Sequence, residues 1–238
     1  MLNFLRRKNK KKSHQVSREF ADLSEVEKNI IRICKPYTMT GKLRLLTLIR
    51  GIEYLTKSGI EGDIIECGVW KGGSMMAAGM MLNELQDIRN LYLYDTFQGM
   101  TEPKDIDISV DKISGDSLYK ELPDWCKANI DEVKENLKSI NYPETQLSFI
   151  PGKVENTIPK NKHEKIALLR LDTDWYESTK IELEHLFPKL VIGGILIIDD
   201  YGHWEGARKA TDEYFAKNGI KIYLNRIDYT CRMGVKVW

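Results

Sequence analysis

The sequence predicts an α/β fold with a mostly parallel seven-stranded sheet, an antiparallel strand at its C-terminal end and helices on both faces. Three observations predict it. Five short apolar runs, at 63–69, 91–95, 146–150, 166–171 and 194–198, alternate with segments of helical period, the pattern of a parallel sheet covered on both sides. Two further runs, 221–224 and 234–238, lie too close together for a helical crossover and are read as an antiparallel pair. The chain has 238 residues, 42% hydrophobic and 30% charged, which suits one large globular domain with an N-terminal extension and excludes disorder of the whole chain.

Taken in order, the chain opens with six cations in the seven positions from Arg6 to Lys12. Such a block repels itself, so residues 1–20 are expected to be a solvated, disordered tail. Leu2, Phe4 and Leu5 beside it give weak contact with an anionic membrane surface as a second reading. Ser24 with Glu27 has the spacing of a capping box and opens a helix that Pro36 ends. After the loop at Thr38 to Gly41, Leu43, Leu46, Ile49, Ile52 and Leu55 recur at helical spacing as far as Ser58. Residues 21–60 are thus expected to be a helical lid or cap, and 61–238 the main α/β domain. Further helices are expected at 75–85, 130–140, 178–190 and 206–217, with 98–125 a long loop holding one short helix and forming, with Met39, a candidate lid.

Ligands of open α/β sheets bind beyond the carboxyl ends of the strands, and the informative residues lie there. The first strand runs into Gly68, Gly72, Gly73 and Ser74, a turn that lets backbone approach a ligand and opens a helix N-terminus toward it. The second strand ends at Asp95, placed to accept hydrogen bonds from ribose hydroxyls. The plainer reading of the same residues is a tight turn with a capping Asp. The fourth strand ends at Asp172-Thr173-Asp174 and the fifth at Asp199-Asp200. Four carboxylates in one cleft repel unless protonated or neutralised. Oxygen donors without His or Cys suit Mg²⁺, with Mn²⁺ and Ca²⁺ as alternatives. Against this, Asp174 precedes a helix and Asp200 lies in a turn, so two of the four are candidate caps.

Four stretches resemble the macrocin O-methyltransferase (TylF-type) family: Glu66 to Ser74, Tyr94 to Met100, Leu171 to Thr179 and Ile198 to Gly202. The stretches from Thr38 to Thr40 and from Gly206 to Ala210 are similar too, and the likeness runs from about Pro36 to the C-terminus. It implies a Rossmann-like class I methyltransferase fold, S-adenosylmethionine as methyl donor and Mg²⁺, with a hydroxyl of a sugar or glycosylated small molecule as acceptor. By that resemblance Glu66, Gly68 and Ser74 run along the methionine part of the donor, Asp95 holds the ribose, and Gly152 and Lys153 flank the adenine. Met39, Trp70, Gly72, Thr96 and Asp172 complete the donor site. Asp172, Asp199 and Asp200 match the metal ligands and Asp174 the general base, with His203 a second candidate base. Thr173 stands where the family often has Gly, and Trp175 where it often has an aliphatic residue. Trp175 is expected to narrow or flatten the acceptor pocket, so the family's antibiotic-sugar substrates are not carried over.

Two rival readings belong to other classes. One is a catalytically inactive nucleoside-binding protein that keeps the donor and has lost transfer; intact carboxylates at both strand ends oppose it. The other is an NAD-linked epimerase: Tyr176 and Lys180 have the Tyr-x-x-x-Lys spacing, but the glycine turn is not GxGxxG. With 36 Lys and Arg against 35 Asp and Glu, the chain carries no basic field for nucleic acid. No apolar run is long enough to cross a bilayer. The N-terminus shows no signal-peptide pattern, and four cysteines without CxxC spacing read as free thiols of a cytoplasmic protein. The sequence leaves the oligomeric state open, a homo-oligomer included.

Overall fold

The computed structural model describes residues 20–238. All of the expected basic tail except Phe20 lies outside them. Seven strands form one sheet in the order β3-β2-β1-β4-β5-β7-β6. They are β1 (Asp63–Cys67), β2 (Leu91–Asp95), β3 (Leu147–Pro151), β4 (Ile166–Leu171), β5 (Leu190–Ile198), β6 (Asn225–Arg226) and β7 (Arg232–Val235). The first five pair in parallel, while β7 runs antiparallel to both β5 and β6.

Alternation along each strand divides the core in two. Ile64, Leu168, Ile195 and Ile197 face a layer made by α1 (Glu25–Cys34), α2 (Lys42–Lys57), α3 (Gly73–Leu85) and α5 (Ile130–Lys138). Ile65, Leu169, Leu196 and Ile198 face the other layer, which holds α6 (Val154–Thr157), α7 (Tyr176–His185) and α8 (Glu205–Lys217). The short α4 (Gly115–Glu121) lies in the long connection after β2. Ile49, Ile52 and Leu55 of α2 are fully buried in the first layer, so the N-terminal helices share the sheet's own core. The capping box forms as expected: Ser24 Oγ accepts from the Glu27 N–H at 3.2 Å, and Glu27 Oε2 accepts from the Ser24 N–H at 2.7 Å.

Three expectations need correction. Residues 221–224 are not a strand; the edge strand is only Asn225–Arg226. Ile222 and Leu224 pack on the second core layer instead, and Ile222 lies against Gly234, where a side chain would meet it. Side-chain burial wins there over edge pairing. The last strand is Arg232–Val235 rather than 234–238, because its register on β5 pairs Arg232 with Ile198 and Val235 with Ile195. The helix expected to reach 190 stops at His185. Pro188, which has no N–H to donate, sits in a 3-10 turn, Phe187–Lys189, and β5 begins directly after it.

Candidate active site

The carboxyl ends of β1, β2, β4 and β5 open into a cavity of about 400 Å³. Its two halves are built differently. In the half fed by β1 and β2, Gly68 turns the chain with φ +85°, and a Cβ there would lie 1.9 Å from the Asp172 carbonyl oxygen. Only glycine fits a backbone crossing that close. The turn then carries Trp70 through a left-handed conformation (φ 48°). Asp95 holds it: Oδ2 accepts from the Val69 and Trp70 N–H groups at 2.6 and 3.0 Å, and Oδ1 from the Phe97 N–H at 2.7 Å. The capping reading of Asp95 is therefore realised, and Asp95 also lines the cavity. Gly68, Trp70, Asp95, Thr96, Gly152, Lys153 and Met39 all line the cavity. Glu66, Gly72 and Ser74 do not: Glu66 and Ser74 are buried behind the turn, and Gly72 caps α3 with φ 87° against Leu137.

The half at β4 and β5 is dominated by charge. Asp172, Asp199 and Asp200 each bring a carboxylate oxygen within 4.8 Å of the others. Threaded between them is Arg170 of β4, a residue that reading 166–171 as an apolar strand passed over. Its guanidinium donates to Glu66 at 2.6 Å, to Asp172 and Asp199 at 2.7 Å each, and to Thr40 Oγ1 at 2.8 Å. Arg44 of α2 reaches in from the other side, hydrogen-bonds Asp199 Oδ2 and forms an ion pair with Asp228 at 3.0 Å. An arginine in an otherwise apolar strand was the available signal, since a buried charge must be paired. Arg44, one charged residue among several on an amphipathic helix, gave none.

These arginines answer part of the repulsion that the sequence assigned to a metal. The remainder is considerable. Glu66, Asp172, Asp174, Asp199, Asp200 and Asp228 face two guanidiniums, and Asp200 Oδ2 is buried with no partner. Burial, the charge of Asp172 and the neighbouring acids push the Asp174 carboxyl up to about 7. Burial and Asp174 push Asp200 up as well, so the two neighbouring carboxyls compete for one proton. Oxygen donors with leftover negative charge and an orphaned oxygen fit a hard dication on Asp172, Asp199 and Asp200. Asp174 sits beside them with φ 67°, a left-handed conformation that residues other than glycine adopt sparingly.

Around the acids the wall is aromatic. Trp125, Trp204 and His203 line the cavity. Trp175, expected to narrow it, does not: it is 3% exposed and donates its Nε1–H to the Thr101 carbonyl at 3.0 Å. It supports Trp204 and Trp125 edge-on at centroid distances of 4.8 and 5.8 Å. Burial lowers the His203 pKa, leaving a neutral ring against Trp204. Thr173 lines the cavity and donates to Glu182 Oε1 at 2.8 Å, where burial pushes the carboxyl up to about 8. Tyr176 and Lys180 point elsewhere: the Tyr176 hydroxyl donates to Glu213 at 2.7 Å, and neither lines the cavity. The connection after β2 is fixed to this wall. Buried Asp107 accepts from the Lys104 and Tyr176 N–H groups, and Val110 and Glu205 make backbone bonds across to His203 and Ile108.

This sheet order, with a glycine turn and an acid at adjacent strand ends, defines a class I methyltransferase. A solved structure of the O-methyltransferase NovP matches it with a TM-score of 0.75 and 30% identity, over 85% of this chain and 83% of that one. The chain belongs to the family described as Macrocin-O-methyltransferase (TylF), whose profile matches residues 3–235, and it is an S-adenosylmethionine-dependent O-methyltransferase. Mycinamicin III 3''-O-methyltransferase of Micromonospora griseorubida is 34% identical over 84% of this chain and 77% of its own. Demethyldecarbamoylnovobiocin O-methyltransferase of Streptomyces niveus is 32% identical over 81% and 72%. No helix among the described residues is long and apolar enough to cross a membrane.

Proposed function

We propose that this enzyme methylates a hydroxyl of a sugar or glycosylated small molecule, with a divalent cation, Mg²⁺ by preference, on Asp172, Asp199 and Asp200 and with Asp174 as the general base. The observation that carries the reading is the acid cluster itself. Three carboxylates converge within 4.8 Å, one of their oxygens is buried without a partner, and a fourth carboxyl pushed up to about 7 stands beside them. Relatives support the acceptor class: one is named for the 3''-position of mycinamicin III, another for the 4'-position of a rhamnosyl-tetracenomycin.

The donor supplies an activated methyl group and the cation supplies Lewis acidity at the acceptor oxygen. The rest falls to the chain. The Gly68 turn and Asp95 form the wall for the ribose, and Gly152 and Lys153 that for the adenine. Met39 and the segment 38–44 cover the donor from the N-terminal helices. Asp174 accepts the hydroxyl proton; burial and the neighbouring acids raise its affinity for that proton. Trp125 and Trp204 give the acceptor an apolar face that excludes water from the acids. His203, neutral on the same wall, hydrogen-bonds the acceptor in this reading.

The test is methyl transfer to a panel of nucleotide sugars and glycosides. EDTA should abolish turnover and Mg²⁺ restore it, while donor binding by calorimetry stays within about threefold. Asp199→Asn should mimic chelation. Asp174→Asn should keep cation binding and lower kcat by roughly 10²–10⁴. Full activity in excess chelator, with an accepted substrate, overturns the cation.

A further inference from the structure

We propose that Arg44 is an internal counter-cation that occupies Asp199 until a divalent cation displaces it, so that cation binding shifts the hold on α2 from Asp199 to Asp228. The inference rests on the cation reading above.

The two arginines at the cluster are not equivalent. Arg170 is 2% exposed and has four partners, Glu66, Asp172, Asp199 and Thr40; withdrawing it would strand several buried charges. Arg44 has an 18% exposed side chain and two carboxylate partners, of which Asp228 is 22% exposed and Asp199 is 3% exposed. It can lose Asp199 and remain paired, in contact with water.

Asp199 is also where a dication and a guanidinium collide. Asp172 gives one oxygen to Arg170, and Asp200 has an oxygen with no partner, so each offers a site. Asp199 has no oxygen free of a donor: Oδ1 accepts from Arg170 and Oδ2 from Arg44. A cation bridging all three acids must take an oxygen that already carries an N–H donor. It must also approach the positive charge of a guanidinium a few ångström away. Of the two donors, only Arg44 has somewhere else to go. Arg44 therefore neutralises the cluster when no cation is bound and lowers its cation affinity at the same time. Because Arg44 lies on α2, just after the cavity-lining segment Thr38–Thr40, the exchange would register in the backbone that faces the donor.

Manganese alone tests this, titrated into protein without donor or acceptor at low salt and read by calorimetry and by the resonance signal of free Mn²⁺. Arg44→Gln, which removes the competing charge, should tighten Mn²⁺ binding by roughly tenfold, the order expected when a unit charge is withdrawn about 6 Å from a dication under water-like screening. Arg44→Lys should stay within about threefold of wild type. Asp228→Asn, which removes the fallback partner and leaves Arg44 on Asp199, should weaken Mn²⁺ binding by a few fold. A structural brace gives the opposite sign for the first variant: Arg44→Gln then loosens Mn²⁺, and that result overturns the proposal. Should Arg44→Gln fail to fold, as read by its melting curve in EDTA, Asp228→Asn decides alone; tightened or unchanged binding there rejects the exchange. A wild-type protein that binds no Mn²⁺ at millimolar concentration refutes the cation reading itself, a different outcome from wild-type binding that Arg44→Gln fails to tighten.

Discussion

At the ends of β1 and β2 the chain answers its polar groups with its own backbone, whereas at the ends of β4 and β5 it answers carboxylates with guanidiniums. Asp95 is enclosed by three main-chain N–H groups, and the glycine turn beside it is shaped by close approach of backbone to backbone. Asp172 and Asp199 depend on Arg170, which is buried with Asp199. The first half is fixed by geometry, and a ligand adds to it. The second is held by opposing charges at short range, where removing any one member leaves the rest uncompensated. One cavity thus joins a rigid wall for a donor to an electrostatically loaded wall for chemistry.

Arg170→Met should break this contrast most severely. It removes the fixed cation from Glu66, Asp172 and Asp199 while keeping volume, and stripping one partner from a buried ion network costs about 3–5 kcal/mol. The melting temperature should fall by roughly 10 °C; a fall of less than two degrees would show that the buried acids are protonated rather than paired. Gly68→Ala attacks the other half. The added methyl meets the Asp172 carbonyl at 1.9 Å with φ at +85°, so the variant should be destabilised by about 2–3 kcal/mol and lose donor affinity. Wild-type melting and affinity would remove the glycine from the argument.

Asp95→Ala should be milder and confined to the donor half. It unpairs the Val69, Trp70 and Phe97 N–H groups and removes the acceptor for the ribose, at about 1–3 kcal/mol. Calorimetry should show S-adenosylmethionine bound at least tenfold more weakly, with Mn²⁺ binding unchanged. Unchanged donor affinity takes Asp95 out of the site.

The smallest effect concerns Glu182, under Thr173. Its folded-state pKa is raised to about 8 from the ordinary 4.5, so the folded protein holds a proton that the unfolded chain has released. The stability tied to that proton is present below about pH 4.5 and is lost as pH rises toward 8. Glu182→Gln should match wild type at pH 4.5 and melt a few degrees higher at pH 8.5. Parallel melting curves across that range would mean Glu182 is ionised when folded.

Much of the sheet could be read from residue order because local pattern and tertiary burial agree. Ile64 and Ile65, or Leu168 and Leu169, are apolar since they face opposite layers of one core. Where they disagree, the reading slipped. Ile222 and Leu224 are apolar for packing, not pairing, and pattern alone does not separate the two. At the site, Asp172, Asp174, Asp199 and Asp200 were legible as strand-end acids, and the structure brings them to one cavity. Their neutralisation was not legible, because Arg44 and Asp199 stand 155 residues apart and nothing in their spacing links them. Trp175, standing where the resembled family often has an aliphatic residue, is expected to narrow or flatten the pocket, but its own burial makes it the support behind Trp204.

That long separation has a kinetic consequence. Thr40 and Arg44, Arg170, Asp199 and Asp228 arrive from four separate stretches of chain, and Arg170 meets Thr40 across 130 residues. Closing loops of that size costs entropy before any ion pair rewards it, and topologies rich in distant contacts fold slowly. During synthesis Arg44 emerges long before Asp228, so the charged end of α2 waits for the last hairpin with its final partners unmade. Helical signal in refolding should therefore return early and catalytic competence last, on the time scale on which β7 docks on β5.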